Sequence, residues 1–316
     1  GKKIGKGSFG IVYQGQDLLT GQDIALKIER KNKKNILGQA NRLQIEYNIY
    51  QKLHQNSLKN SYWPQVLHLG ETPHYHYLVM EKKGPTLHHL FRHMSKQFTI
   101  RTVMGIAYQC LTILQSLHQH GIIHRDLKPD NWVIGLHDPH HIYLIDFGLA
   151  KSYQLPDGSH LPSQKRRKFV GSLKYASIPN QLCRESSRRD DLESLSYMFI
   201  YFLQGSLPWE KLPILNRLEK TQAVLSHKRQ FTSTIHFERL PSFFHTFHRY
   251  CRQLTFDQSP DYSQLLSLFE SIGKDTDLDW AIQSQPDSES DWSVISSTFS
   301  HSDDRGQSLE GNHGGI

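Results

Sequence analysis

The chain has 316 residues, 37% of them hydrophobic, with 37 Lys+Arg against 30 Asp+Glu for a formal net charge of +7. That length carries one large or two modest domains, and a mean hydropathy of −0.56 with no apolar run near the ~20 residues of a bilayer span excludes a membrane-spanning chain. Charge is uneven: residues 281–316 hold Arg305 against six acids (−5), leaving 36 bases and 24 acids (+12) on residues 1–280, a balance that suits anionic partners.

In chain order, the first eighty residues read as strand-rich. IGKGSFGIVYQGQD sets two short apolar runs around glycines, Thr20-Gly21 makes a turn, and IALKIE alternates with β period. Residues 41–53 change to helical period, with Leu43, Tyr47, Tyr50 and Leu53 on one face. YHYLVME is a further strand. From residue 86 the pattern is helical: Val103, Ala107, Cys110, Leu114 and Leu117 stand three or four apart. LESLSYMFIYFLQG, apolar nearly all round, predicts a helix buried inside a lobe. After Trp280 the chain turns polar and Ser-rich, which predicts a disordered tail.

Gly5, Gly7 and Gly10 form G-x-G-x-x-G. Because IVYQG continues as strand rather than opening a helix, the glycines predict a hairpin whose backbone amides cover phosphates. Seventeen residues beyond Gly10, Lys27 in A-L-K is a lysine on an apolar strand, suited to pairing with phosphates, and Glu46 on the following helix can fix its head. HRDLKPDN (124–131) and IDFG (145–148) follow. The 20 histidines, among them His74, His76, His137, His140 and His141, have no HExxH or cysteine frame, so a metal cluster is not expected. Cys110, Cys183 and Cys251 match no disulfide or metal spacing, which points to a reducing, intracellular setting, cytoplasmic and/or nuclear. The chain opens on Gly1 without a signal-peptide pattern and reads as a trimmed fragment.

With the glycine loop, A-L-K, H-R-D-L-K-P-D-N and D-F-G in this order, the chain resembles a eukaryotic protein kinase. YASIP in place of A-P-E, together with SRRDDLESL and GSLPW, makes it similar to the casein kinase 1 family over about residues 1–282. The resemblance implies an α+β, bilobal protein-kinase fold: a small β-rich N-lobe (1–80) with one main helix, a hinge (81–85) and a larger, mostly helical C-lobe (86–282), before the acidic tail 283–316. It implies a Ser/Thr kinase using ATP and Mg²⁺, with Asp126 as the base-side carboxylate and Lys128 reaching the γ-phosphate. Asp146 and Asn131 would hold metal. The ATP site would comprise Ile4, Gly5, Lys6, Gly7, Ser8, Phe9, Gly10, Ile11, Val12, Ala25, Lys27, Glu46, Met80 (as gatekeeper), Glu81 and Lys83. Asp191 would be the buried acid that hydrogen-bonds the catalytic-loop backbone, and a monomer is expected.

The sequence departs from the pattern in a short strand before the glycines, an insertion around Lys31–Gly38, Pro179 in place of Asn, and missing lysines after Trp209, where Lys211 and Arg217 are the nearest bases. The basic run KRRKFVGSLKY (165–175) has three readings: a solvated loop, a nuclear address, or the seat of an acidic or pre-phosphorylated substrate. The last is favoured because in the resembled family a base at Lys174, with the Gly205 backbone, binds a substrate phosphate, and Arg125 adds a cation nearby. Nucleic-acid binding is not expected, since no interleaved aromatics accompany the charge. A scaffold without catalysis is the rival reading, opposed by the presence of Lys27, Asp126, Asn131 and Asp146. In the tail, Asp287, Ser290, Ser293 and Ser296 stand three apart, which reads either as a register for sequential self-phosphorylation and autoinhibition by the modified tail or as incidental serines in a disordered segment.

Overall fold

The computed structural model describes residues 1–6, 10–31, 41–55, 62–213, 216–273 and 277–282. Gly7, Ser8, Phe9, most of the insertion and the tail serines therefore lie outside the described residues.

Strands β1 (Lys3–Lys6), β2 (Ile11–Gln16), β3 (Asp23–Arg30), β4 (Val66–Glu71) and β5 (Tyr75–Glu81) form one antiparallel sheet in the order β1-β2-β3-β5-β4. The register sets Val12 opposite Lys27 and Lys27 opposite Leu78, and sets Ala25 opposite Met80. Directly opposed residues share a face, and so do alternate ones along a strand. Val12, Ala25, Lys27, Leu78 and Met80 thus line one surface, with a single cation among apolar neighbours. Helix α1 (Arg42–Gln55) lies against this sheet and buries Leu43, Glu46, Tyr50 and Leu53. Their three-to-four spacing is the helical repeat, and it carries one acid into the apolar stripe.

The rest of the described residues are mainly helical. Helices α2 (Leu87–His93) and α3 (Ile100–Gln119) start at Thr86 and Thr99, whose hydroxyls accept from the amides of His89 and Thr102. Three short strands, β6 (Ile122–Ile123), β7 (Trp132–Ile134) and β8 (Ile142–Leu144), flank the central loops, and β9 (Lys151–Ser152) pairs with β6. Helices α4 (Ile178–Gln181) and α5 (Arg188–Gln204) follow, then α6 (Arg217–Gln230), α7 (Ile235–Glu238), α8 (Ser242–Gln253), α9 (Tyr262–Gly273) and α10 (Asp279–Ile282). A capping box between Ser187 and Asp190 opens α5, which then buries every residue from Asp190 to Phe202. Gly205 ends it in the left-handed conformation (φ 77°), donating its amide to the Tyr201 carbonyl.

Two contacts close the helical part around α3. Thr99 donates its amide and hydroxyl to the Asp279 carboxylate at 2.7 and 2.8 Å, and Trp280 gives its indole N–H to the Pro139 carbonyl at 3.0 Å. Phe91, Phe98, Phe202 and Trp280 pack ring on ring beneath them, with centroids 4.9–5.4 Å apart. Among the described residues, no helix is long and apolar enough to cross a membrane.

Candidate active site

Lys27 is brought to the sheet surface by the β3 register and meets two carboxylates. Its Nζ donates to Glu46 Oε2 at 2.6 Å and to Asp146 Oδ1 at 2.8 Å. Burial is the strongest influence on the ammonium and pulls its pKa down. The two carboxylates together outweigh it, and the pKa ends above the ordinary value. Burial likewise lifts the Glu46 carboxyl to about 7 against the pull of Lys27. It acts on Asp146 too, but there Lys27 prevails and the carboxyl sits at about 2. Asp146 is therefore an anion at any working pH, and its side chain is 29% exposed towards the cleft while Glu46 is 1% exposed.

Asp146 stands just after β8 with a left-handed backbone (φ 67°), and the next residue anchors it. Phe147 is fully buried, edge-on to Tyr50 of α1 at 4.9 Å and against the His124 ring at 5.4 Å. One aromatic side chain thus locks the Asp146 turn to the helix that supplies Glu46.

Asp126 lies in the loop after β6. Its Oδ1 accepts the Ser172 amide at 2.8 Å and its Oδ2 accepts Lys128 Nζ at 2.9 Å. Burial lowers the Lys128 pKa, but the adjacent Asp126 charge more than offsets it and the pKa is raised. Asn131 donates its side-chain amide to the Asp126 carbonyl at 2.8 Å, and its own carbonyl accepts the Ile145 amide at 2.9 Å. The Asp126 loop and the Asp146 turn are thereby joined through one asparagine.

The loop is held from below by Asp191 on α5. Its carboxylate accepts the amides of His124 (2.7 Å) and Arg125 (2.9 Å) and meets His118 Nε2 at 3.0 Å, while Tyr262 hydrogen-bonds the other His118 ring nitrogen. These bonds fix Arg125 in the left-handed region (φ 69°), and its Nε donates to the Leu149 carbonyl at 2.6 Å. Gly171 closes over the same peptide. At φ 95°, a Cβ there would meet the Arg125 carbonyl at 2.5 Å, so only glycine fits.

The remaining sequence candidates fall as follows. Gly5 and Lys6 lie in β1 and Ile11 and Val12 in β2, while Ile4 is exposed. Gly10 runs so close to β3 that a Cβ would lie 2.5 Å from the Ile28 carbonyl. Glu81 ends β5; Lys83 donates to its carboxylate at 2.5 Å and covers the Tyr143 ring at 3.7 Å, tying the sheet to β8. The basic run divides: Arg166 donates its amide to the Cys183 carbonyl and its Nε to the Arg184 carbonyl, whereas Lys165, Arg167 and Lys168 are exposed. Lys174 pairs with Glu210 at 2.9 Å. Gly205, whose backbone the resemblance implied at a substrate anion, has its amide engaged as the α5 cap. No cluster of three metal-ligating side chains occurs among the described histidines, cysteines and acids.

Several residues that organise the site were missed in the sequence reading. Glu193 on α5 accepts the Ile178 amide (3.0 Å), the Tyr197 hydroxyl (2.7 Å) and Arg252 (3.0 Å) on one oxygen. It anchors the end of the segment where the A-P-E acid is missing. Lys228, buried on α6, donates to the carbonyls of Leu173 (2.8 Å) and Ala176 (2.6 Å), holding the stretch beside Lys174. Lys228 shares with Val224 the buried side of an otherwise polar helix, so the sequence pattern does not mark it.

This arrangement sets a cation between two carboxylates and links it, through Asn131 and Ile145, to an oriented carboxylate–lysine pair. Residues 1–269 match the protein kinase domain family. The chain belongs to the protein kinase family. Its kinase domain is similar to casein kinase I homolog 2 of Schizosaccharomyces pombe, with 39% identity over 277 residues, covering 86% of this chain and 61% of that protein. It is similar also to casein kinase I homolog 1 of Saccharomyces cerevisiae, with 36% identity over 290 residues, covering 89% of this chain and 52% of that protein. The chain thus spans between half and two thirds of the length of these relatives.

For ATP and Mg²⁺ the donor set fits. Mg²⁺ takes hard oxygen ligands, and Asp146 offers an ionised carboxylate whose Oδ1 alone is tied to Lys27. Asn131 has its amide nitrogen engaged with the Asp126 carbonyl, which leaves the amide oxygen as its ligating atom.

Proposed function

We propose that this chain is a protein serine/threonine kinase that transfers the γ-phosphate of ATP to hydroxyls of acidic or pre-phosphorylated protein substrates. The observation that carries the reading is the Lys27 ammonium held between Glu46 and Asp146 at 2.6 and 2.8 Å, with Asp126 and Lys128 paired at 2.9 Å in the loop that Asn131 joins to the Asp146 turn. Phosphoryl transfer needs positioning and charge neutralisation more than covalent chemistry, and a protein supplies both with fixed charges.

Bound Mg·ATP would supply the transferable phosphoryl group and the charge that offsets its oxygens. Lys27 pairs with phosphates and is kept from swinging away by Glu46. Asp146 and Asn131 would hold the metal. Asp126, with one oxygen fixed by the Ser172 amide and the other by Lys128, accepts the hydrogen bond of the attacking hydroxyl and orients its lone pair. Lys128 neutralises charge gathering on the transferred group.

Lys174 follows Ser172 by two residues in the chain, and the Ser172 amide holds the Asp126 carboxylate. This placement supports an anionic residue near the accepting serine as a recognition element. The tail serines Ser290, Ser293 and Ser296, each three residues after an acid or another serine, are internal substrates under this reading.

The test is a positional peptide library with one central serine, incubated with the chain and Mg·ATP. Transfer to serine, strongest with an acidic or phosphorylated residue upstream, is expected. Absence of transfer, or a preference for basic residues there, contradicts the proposal.

A further inference from the structure

Lys174 already has an anion. Its Nζ lies 2.9 Å from Glu210 Oε1 and 3.6 Å from the centroid of the Tyr201 ring. The second Glu210 oxygen accepts the Leu207 amide at 3.3 Å, and the Glu210 amide donates to the Leu207 carbonyl at 3.0 Å. Trp209, fully buried between them in sequence, gives its indole N–H to the Lys174 carbonyl at 2.8 Å. The carboxylate is therefore mounted on a short loop that is itself stapled to the Lys174 backbone. Both side chains remain partly open, at 26% and 32% exposure, so the pair faces solvent and can be displaced.

A tethered partner competes at high effective concentration with any free group of the same chemistry. A substrate aspartate or glutamate brings one charge and two oxygens, which is what Glu210 provides already. Exchanging one carboxylate for another gains almost nothing. A phosphate brings about −1.5 to −2 charges and three acceptor oxygens. An ammonium has three donors, and Glu210 takes only one of them. Phosphate therefore gains where carboxylate does not.

We propose that Glu210 is a specificity-determining residue, an internal stand-in for the substrate anion that closes the Lys174 seat to single carboxylates and leaves it responsive to phosphorylated residues. This rests on the reading of Lys174 as a substrate-anion seat and narrows it, from acidic or phosphorylated substrates to phosphorylated ones.

The experiment compares kcat/KM on three serine peptides identical except for one upstream position, occupied by Ala, Asp or phosphoserine, in wild type, Glu210→Gln, Glu210→Ala and Lys174→Ala. Gln keeps the shape and the acceptor for Leu207 but loses the charge, and Ala guards against a new contact by the Gln amide. In wild type the Asp/Ala ratio should stay within about twofold of unity and the phosphoserine/Ala ratio reach about tenfold, the scale of one charge-assisted contact. In both Glu210 variants the Asp/Ala ratio should rise about three- to fivefold, the upper range of a partly exposed ion pair. An Asp/Ala ratio equal in wild type and both Glu210 variants, with the phosphoserine preference intact, overturns the role of Glu210 alone. A phosphoserine/Ala ratio near one in wild type, or one unaffected by Lys174→Ala, overturns the seat itself.

Discussion

Replacing Asp191 by Asn tests how the catalytic loop is held. Burial favours the neutral acid, but His118 and the loop amides prevail and keep the Asp191 pKa below the ordinary value, so the group is an anion. It is 1% exposed and accepts the amides of His124 and Arg125 at 2.7 and 2.9 Å. Asparagine removes the charge and turns an N–H₂ towards one of three donors. Hydrogen bonds to a charged group are each worth about 1.5–3 kcal/mol, and breaking a buried charged network costs about 3–5 kcal/mol. That is a large part of the ~5–15 kcal/mol by which a domain is stable. At about 2 °C per kcal/mol for a chain of this size, Tm should fall by about 6–10 °C. Arg125, no longer held at φ 69°, is free to relax towards an ordinary backbone and carry Asp126 with it. A displacement of 1 Å costs about 10²-fold in rate. Differential scanning fluorimetry and peptide phosphorylation, assayed well below the variant's Tm, read the two effects separately. A variant with wild-type Tm and turnover would refute this account of the loop.

Three further outcomes follow from the geometry. Lys27→Met removes the only cation between Glu46 and Asp146 in this ion-pair cluster, and transfer should fall about 10²–10³-fold, the usual cost of one preorganised donor; retention of a tenth of the activity counts against it. Gly171→Ala places a Cβ 2.5 Å from the Arg125 carbonyl at φ 95°, so it should lose about 1–3 kcal/mol of stability along with most activity, both readable in one preparation. His248 is buried among Phe231, Phe237 and Tyr197, and burial, helped by Arg252, Arg249 and His245, lowers its pKa to about 3. Between the unfolded value near 6.5 and about 3, the unfolded chain binds a proton that the folded one refuses, so stability falls with pH by about 1.4 kcal/mol per unit from this group. His248→Leu should therefore lose less Tm than wild type between pH 7.5 and pH 5, and an equal loss in both would exclude the effect.

What the sequence made legible is local. The β alternation of IALKIE put Lys27 on a strand, and the spacing of Leu43, Tyr47, Tyr50 and Leu53 marked the inner side of the helix, where Tyr47 is half-buried and Glu46 is buried with the other three. HRDLKPDN and IDFG are compact enough that their side chains meet through short loops. Contacts between distant segments were not legible. Glu193 finds Arg252 59 residues away, and Lys174 finds Glu210 36 residues away. Helical periodicity cannot flag Glu193, because every face of α5 from Asp190 to Phe202 is buried and the acid has no polar face to mark it. At Gly205, where the resemblance implied a backbone contribution to an anion site, the end of a long helix takes a left-handed residue and uses its amide for the last turn. The segment after Trp209 was read as lacking bases, and the pairing of Lys174 with the acid immediately after that tryptophan was not visible in the sequence.

The central claim is that the site formed by Lys27, Asp126 and Asp146 transfers phosphate. The direct measurement is transfer of labelled γ-phosphate from Mg·ATP to a serine peptide by wild type, Asp126→Ala and Asp146→Ala, each confirmed folded by circular dichroism. Transfer by wild type and loss of at least about 10²-fold in both variants is predicted; near-wild-type turnover in either folded variant would contradict the account.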